Sequence, residues 1–215
     1  MAAEPLFSTT APRSPEPDET TETEVRRRLL DATEEVVRKV TLAKLSMADV
    51  ARAAGVARGT LYRYFESREV LLDAALTRTA DRFFTEVALA MDRRSTLSEQ
   101  LGEFSRMQIR SIHPEVEHGA SRDALFYQLQ RGEGTQALRR TAKFLIPYLE
   151  AARVRGEIRD TIDVLDAGEW LARILLSFSV FHASMSYEAT DPESVSSFVQ
   201  RYAIDGLSAH EPASG

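Results

Sequence analysis

The stretch Ser46-Met47-Ala48-Asp49-Val50-Ala51-Arg52-Ala53-Ala54-Gly55-Val56-Ala57-Arg58-Gly59-Thr60-Leu61-Tyr62-Arg63-Tyr64-Phe65 decides how the rest of the chain reads. Ser46 with Asp49 has the spacing of a helix start, and the short helix it opens stops at Gly55, a residue free to take the left-handed conformation. A second short helix spans about Arg58 to Phe65. Helices this short bury too little surface to stand alone, so they must lean on others. Ala51 and Ala54 are small where the two approach, and Val50, Val56 and Leu61 supply the apolar contact between them. This is the specification of a helix-turn-helix. On the second helix Leu61 and Phe65 fall within about 40° of each other and form a buried face. Gly59, Tyr62 and Arg63 spread over the opposite arc, with Thr60 and Tyr64 on the flank. Such a face suits the major groove: glycine lets the backbone approach, arginine binds guanine through two hydrogen bonds, and tyrosine hydroxyls reach phosphates. Arg68 opens the next helix and sets a charge and a helix N-terminus beside the DNA backbone.

The charge distribution points the same way. The 215 residues carry 27 basic and 33 acidic side chains, a formal net charge of −6 that taken whole argues against nucleic acid. Yet residues 38–68 hold Arg38, Lys39, Lys44, Arg52, Arg58, Arg63 and Arg68 against only Asp49 and Glu66, a local excess of +5. Residues 1–21 sum to −3 and residues 77–215 to −4. A cationic segment on an acidic body is a statement about partners.

Residues 55–65, followed by Ser67-Arg68-Glu69 and Leu71, resemble the DNA-binding signature of the tetracycline-repressor (TetR) family of bacterial regulators, over about residues 22–76. The resemblance implies that Ser46, Arg58, Gly59, Thr60, Tyr62, Arg63, Tyr64 and Arg68 touch DNA. Ala57 departs from a common capping serine, which weakens that helix start by about 1 kcal/mol. Tyr64 stands where histidine is common. The resemblance further implies a larger helical domain that binds a small effector and pairs with a second copy.

The rest of the chain is helical in pattern, so the fold class is all-α. Thr21 with Glu24 opens a helix to about Val40, Ser67 caps one to about Met91, and Thr96 with Glu99 starts one that runs near His113. Further helices are expected over about 121–131, 135–155 (kinked at Pro147), 164–187 and 192–207. The expected organisation is a disordered tail at 1–20, rich in proline and repelled by DNA, a helix-turn-helix domain at 21–67, an effector-binding and dimerisation domain at 68–208, and a tail at 209–215. Phe83, Val87, Met91, Phe104, Met107, Phe126, Tyr127, Phe144, Tyr148 and Trp170 are the candidate lining of a pocket for an apolar or aromatic effector, part of this set being plain core. Arg106, Arg110 and Arg173 are candidate polar anchors. Apolar stripes on the last two helices, running through Ile174, Phe178, Phe181 and Met185 and through Val195, Phe198, Val199 and Tyr202, with His182 beside them, are the candidate dimer interface.

The chain has no cysteine, which excludes disulfides, thiolate zinc sites and a cysteine nucleophile. His113, Glu115, Glu117 and His118 lack the spacing of a helical histidine site, so no metal and no cofactor is expected. The sequence shows no order of nucleophile, base and acid and no glycine-rich phosphate loop, so no enzyme is expected either. It also shows no signal pattern and no membrane span, which makes a cytoplasmic, nucleoid-associated protein the expectation. The function that follows is a homodimeric regulator of transcription. It reads a palindromic operator in double-stranded DNA, acts as a repressor, and is released by a small effector. An activator, or a helical module binding an acidic protein, is the alternative.

Overall fold

The computed structural model describes residues 19–40, 42–112, 134–181 and 183–204. Among them every regular element is helical: α1 (Glu19–Lys39), a 3-10 turn (Leu42–Lys44), α2 (Met47–Ala53), α3 (Arg58–Tyr64), α4 (Arg68–Met91), α5 (Leu97–Ile112), α6 (Gly134–Val154), α7 (Val164–Val180) and α8 (Pro192–Tyr202). The tails, the expected helix over 121–131, Phe126, Tyr127, His182 and the His113–His118 cluster lie outside the described residues.

Local chemistry explains most of the boundaries. Thr96 and Glu99 form a reciprocal capping box: the Thr96 hydroxyl accepts from the Glu99 amide at 3.2 Å, and the Glu99 carboxylate accepts from the Thr96 amide at 3.2 Å. These backbone bonds hold the Glu99 carboxyl below its ordinary range. Glu157, sixty residues away, adds a third bond at the same helix start, accepting from the Leu97 amide at 2.6 Å. Gly156 closes α6 at φ +74°, and Asp191 accepts from the Glu193 and Ser194 amides ahead of Pro192 at the start of α8. Helix α6 continues through Pro147. Two expected boundaries are corrected. The first helix already includes Thr21, so that residue lies within it rather than capping it. Helix α7 ends at Val180, seven residues early: Phe181 takes extended backbone, and the Ser184 hydroxyl accepts from the Ser186 and Tyr187 amides, a local turn that competes with helix.

Two apolar cores result. The head core joins Leu29, Val36 and Val37 of α1 to Leu42, Leu45, Val50, Leu61, Phe65, Leu71, Leu72 and Ala75. The body core joins Val87 and Met91 to Leu97, Leu101, Phe104, Leu145, Leu149, Leu171, Leu175, Val195 and Val199. Helix α6 lies along α7 and α5 along α8. Gly168 permits the first approach, since a Cβ there would stand 3.2 Å from the Ala142 carbonyl. Helix α4 contributes to both cores, Leu71, Leu72 and Ala75 to the first and Val87 and Met91 to the second.

A carboxylate cluster ties α8 to α5. Arg106 donates to both oxygens of Glu193 at 2.8 and 2.9 Å and to Glu103 at 2.6 Å. The Arg106 hydrogen bond pulls the Glu193 carboxyl below its ordinary range. Because its pKa is depressed on folding, this group's contribution is complete above the ordinary carboxylate pKa and fades as the pH falls through the lowered one. The expected outcome is a melting temperature that drops on acidification below about pH 4.5, with part of the drop absent from Glu193→Gln.

Candidate nucleic-acid interface

The head displays α3 as the residue types demand. Gly55 takes φ +66°, and the turn it makes is closed by the Val56 amide donating to the Ala51 carbonyl at 3.0 Å. Arg28 reaches from α1 to the Ala54 carbonyl. Helix α3 starts at Ala57 without a side-chain cap, as alanine requires. Leu61 and Phe65 are buried in the head core, while Arg58, Gly59, Tyr62 and Arg63 are exposed and Thr60 and Tyr64 half-buried. A Cβ at Gly59 would meet nothing within 4 Å, so this stretch of backbone is open to close approach. The Arg63 guanidinium lies 5.2 Å from the centre of the Tyr64 ring, and the Arg63 side chain is exposed. Arg26 of α1 covers Phe65 from the other side at 5.2 Å.

Ser46 and Asp49 behave as a unit at the start of α2. The Ser46 hydroxyl accepts from the Asp49 amide at 3.2 Å and donates to the Asp49 carboxylate at 2.5 Å. Asp49 in turn accepts from Arg52 at 2.7 Å. The Ser46 hydrogen bond, with help from Arg52 and Arg58, holds the Asp49 carboxyl below its usual range. The local positive charge near α2 is therefore partly neutralised, while Arg58, Arg63 and Lys44 stand exposed.

Arg68 departs from the role expected of it. Its Nε donates to the Leu45 carbonyl at 2.8 Å, another nitrogen donates to the Leu42 carbonyl, and the side chain is only 25% exposed. Its donors are occupied within the protein rather than offered to phosphate. Arg68→Ala is therefore expected to lower the melting temperature of the head while leaving the salt dependence of DNA binding unchanged. A flatter salt dependence with an unchanged melting temperature would restore the phosphate role.

The body brings together part of the expected pocket set. Phe83, Phe104, Phe144 and Tyr148, joined by Phe84, form a continuous aromatic cluster, with ring centres 5.9 Å apart for Phe83–Phe104, 4.8 Å for Phe84–Phe144 and 5.5 Å for Phe144–Tyr148. Met107 is half-buried against the body core. Burial, with Asp92 accepting from the hydroxyl at 3.2 Å, pushes the Tyr148 phenol up to about 12. Val87 and Met91 are fully buried. Trp170 stands 41% exposed on α7, and among the ring contacts of the described residues it has none with this cluster. The candidate anchors are all paired, Arg106 and Arg110 with Glu193 and Arg173 with Glu169.

The expected dimer set divides. Phe178, Val195 and Val199 are buried in the chain's own core, because the stripes that carry them are needed to join α7 and α8 to α5. Ile174 and Phe198 are half-buried against that core. Phe181, Met185 and Tyr202 are exposed, the first two beyond the end of α7 rather than on its face. Among the described residues no three metal-binding side chains cluster, and no helix is long and apolar enough to cross a membrane.

A three-helix head with a solvent-facing α3, carried on a larger helical body, is a helix-turn-helix architecture. Residues 29–75 match the family model described as bacterial regulatory proteins of the tetR family. An uncharacterised HTH-type transcriptional regulator of Mycobacterium tuberculosis (strain CDC 1551 / Oshkosh) is 43% identical over 60 residues, 28% of this chain and 30% of that protein. The match thus spans under a third of that relative's length. The HTH-type transcriptional repressor KstR2 of Rhodococcus jostii (strain RHA1) is 28% identical over 149 residues, covering 65% of this chain and 70% of the relative. The fold is similar to that of the transcriptional regulator FadR from Bacillus subtilis, solved in complex with stearoyl-CoA, with a TM-score of 0.64 at 19% identity over 84% of this chain and 98% of that one. Residues 29–75 thus carry the DNA-binding segment described by the tetR family of bacterial regulatory proteins.

Proposed function

We propose that the chain works as a homodimeric repressor whose two α3 helices enter successive major grooves of a palindromic operator, with half-site centres about one helical turn apart. The observation that carries this reading is the division of α3, in which Leu61 and Phe65 lie in the core while Arg58, Gly59, Tyr62 and Arg63 face solvent. A single head reads too few base pairs to choose a site, so pairing is required. Exposed Phe181, Met185 and Tyr202, with half-buried Ile174 and Phe198, are the apolar surface proposed to meet the second copy.

The effector is proposed to be a ligand with a long apolar or aromatic portion. Adaptable aromatic and methionine side chains around Phe84, Phe104 and Phe144 suit such a guest. The acyl-CoA complex of the fold neighbour supports an acyl chain as one member of this class. Binding there would shift α4 and change the separation of the heads. The test is capture of genomic DNA fragments by the purified chain, followed by competition with stearoyl-CoA. Discrete captured sites support the reading, and release by the acyl ligand supports the effector class. Capture without sequence preference would overturn the assignment of α3.

A further inference from the structure

Between the two cores, α4 is bound sideways to α1 by charge. The Arg78 side chain, 23% exposed, reaches three acceptors: Glu34 at 2.7 and 2.8 Å, Asp31 at 2.8 Å and the Arg27 carbonyl at 3.4 Å. Arg82 pairs with the other Glu34 oxygen. The Glu34 carboxylate is only 13% exposed and so sits between two guanidinium groups, largely out of water, where an ion pair is screened less than at an open surface. At the other end of the segment Arg68 grips the carbonyls of Leu42 and Leu45. Helix α4 is thus held to the head at its first residue and again about three to four turns later, at Arg78 and Arg82. The α4 residues of the head core end at Ala75, and those packed in or against the body core begin at Phe83 and Phe84 and reach full burial at Val87.

We propose that Arg78 is a positioning residue for the reading head: its clamp on Glu34 and Asp31 makes residues 68–80 of α4 part of the head and sets the pivot between head and body at residues 81–82, where Arg82 pairs with Glu34 of the head and Asp81 pairs with Arg140 of the body. The geometry stands without any assumption about DNA, while its functional consequence rests on the assignment of α3 above. With the clamp closed, the segment from Arg68 to Ala80 is a rigid arm of about 18 Å, so a tilt of about 5° at the pivot carries α3 by about 2 Å. With the clamp open, α4 slides along α1 and the same tilt is absorbed at their contact. A guanidinium is required, because only a planar fork reaches Asp31, Glu34 and a carbonyl together; a lysine ammonium is a point charge.

Two measurements on the full chain test this. In hydrogen exchange, the amides of α1 and of residues 72–80 should exchange as one slow unit in the wild type. Arg78→Ala should speed both by about tenfold or more and leave α5, α7 and α8 unchanged, with Arg78→Lys in between. Unchanged exchange in α1 and in residues 72–80, or equal acceleration throughout the body, would overturn the clamp. The second measurement uses captured duplexes with one base pair inserted between the half-sites. The wild type should bind the altered duplex at least about tenfold more weakly, and Arg78→Ala should discriminate by less than about threefold. Equal weakening on both duplexes would mark Arg78 as merely structural. A wild type that selects no site would remove the assignment of α3, and the exchange result would still decide the clamp.

Discussion

Arg63→Ala is expected to weaken binding to the captured operator by about 1–3 kcal/mol, a loss of roughly 5- to 150-fold, and to relax preference at one base pair in each half-site. The side chain is exposed, is held over the Tyr64 ring, and lies on the face opposite Leu61 and Phe65. Its removal therefore takes away a reader and little packing, and the melting temperature should stay within about 1 °C of the wild type. Fluorescence anisotropy against duplexes substituted one base pair at a time checks both parts. Unchanged affinity with unchanged base preference would take Arg63 off the reading face, whereas a uniform loss across all duplexes would make it a phosphate contact instead.

Phe65→Ala is expected to give the largest stability effect in the head, about 3–5 kcal/mol. Phe65 is 1% exposed at the end of α3, where it closes the core formed by α1, α2 and α4, and Arg26 stacks over its outer face. A small domain has little stability to lose, so the head should unfold while the separate body core of α5 to α8 remains. Calorimetry should then show the body transition alone, with DNA binding lost for every sequence. A variant that keeps the head transition and operator affinity would mean that α3 is held by something other than its buried face. The contrast between the two substitutions, one changing recognition and the other folding, is what a helix with two distinct faces requires.

Much of the head is legible in the sequence because its constraints are local. A glycine at the turn, alanines at the helix crossing and a three-to-four spacing of Leu61 and Phe65 each act within a few residues. The capping box at Thr96 and Glu99 and the start at Asp191-Pro192 are legible for the same reason. Features set by distant partners are not. Arg68 looks like a cation at a helix start, and only the fold brings the Leu42 and Leu45 carbonyls to it. Glu34 and Arg78 are 44 residues apart, and no periodicity announces their pairing. The apolar spacing of Phe178, Phe181 and Met185 continues past Val180, yet a serine turn ends the helix there, so the same spacing ceases to mean one face. Val195 and Val199 show a further limit: an apolar stripe states that a face is covered, not whether the cover comes from the same chain or from a partner.

The exposed face of α3 is proposed to read the major groove at two half-sites. Guanine N7 lies in that groove, so methylation interference at N7 on a captured fragment tests the claim directly. Two clusters of interfering guanines about one helical turn apart are expected, with the interference at one position in each cluster lost in Arg63→Ala. Interference confined to the minor-groove edge of adenine, or none at guanine in a fragment that binds specifically, would contradict it.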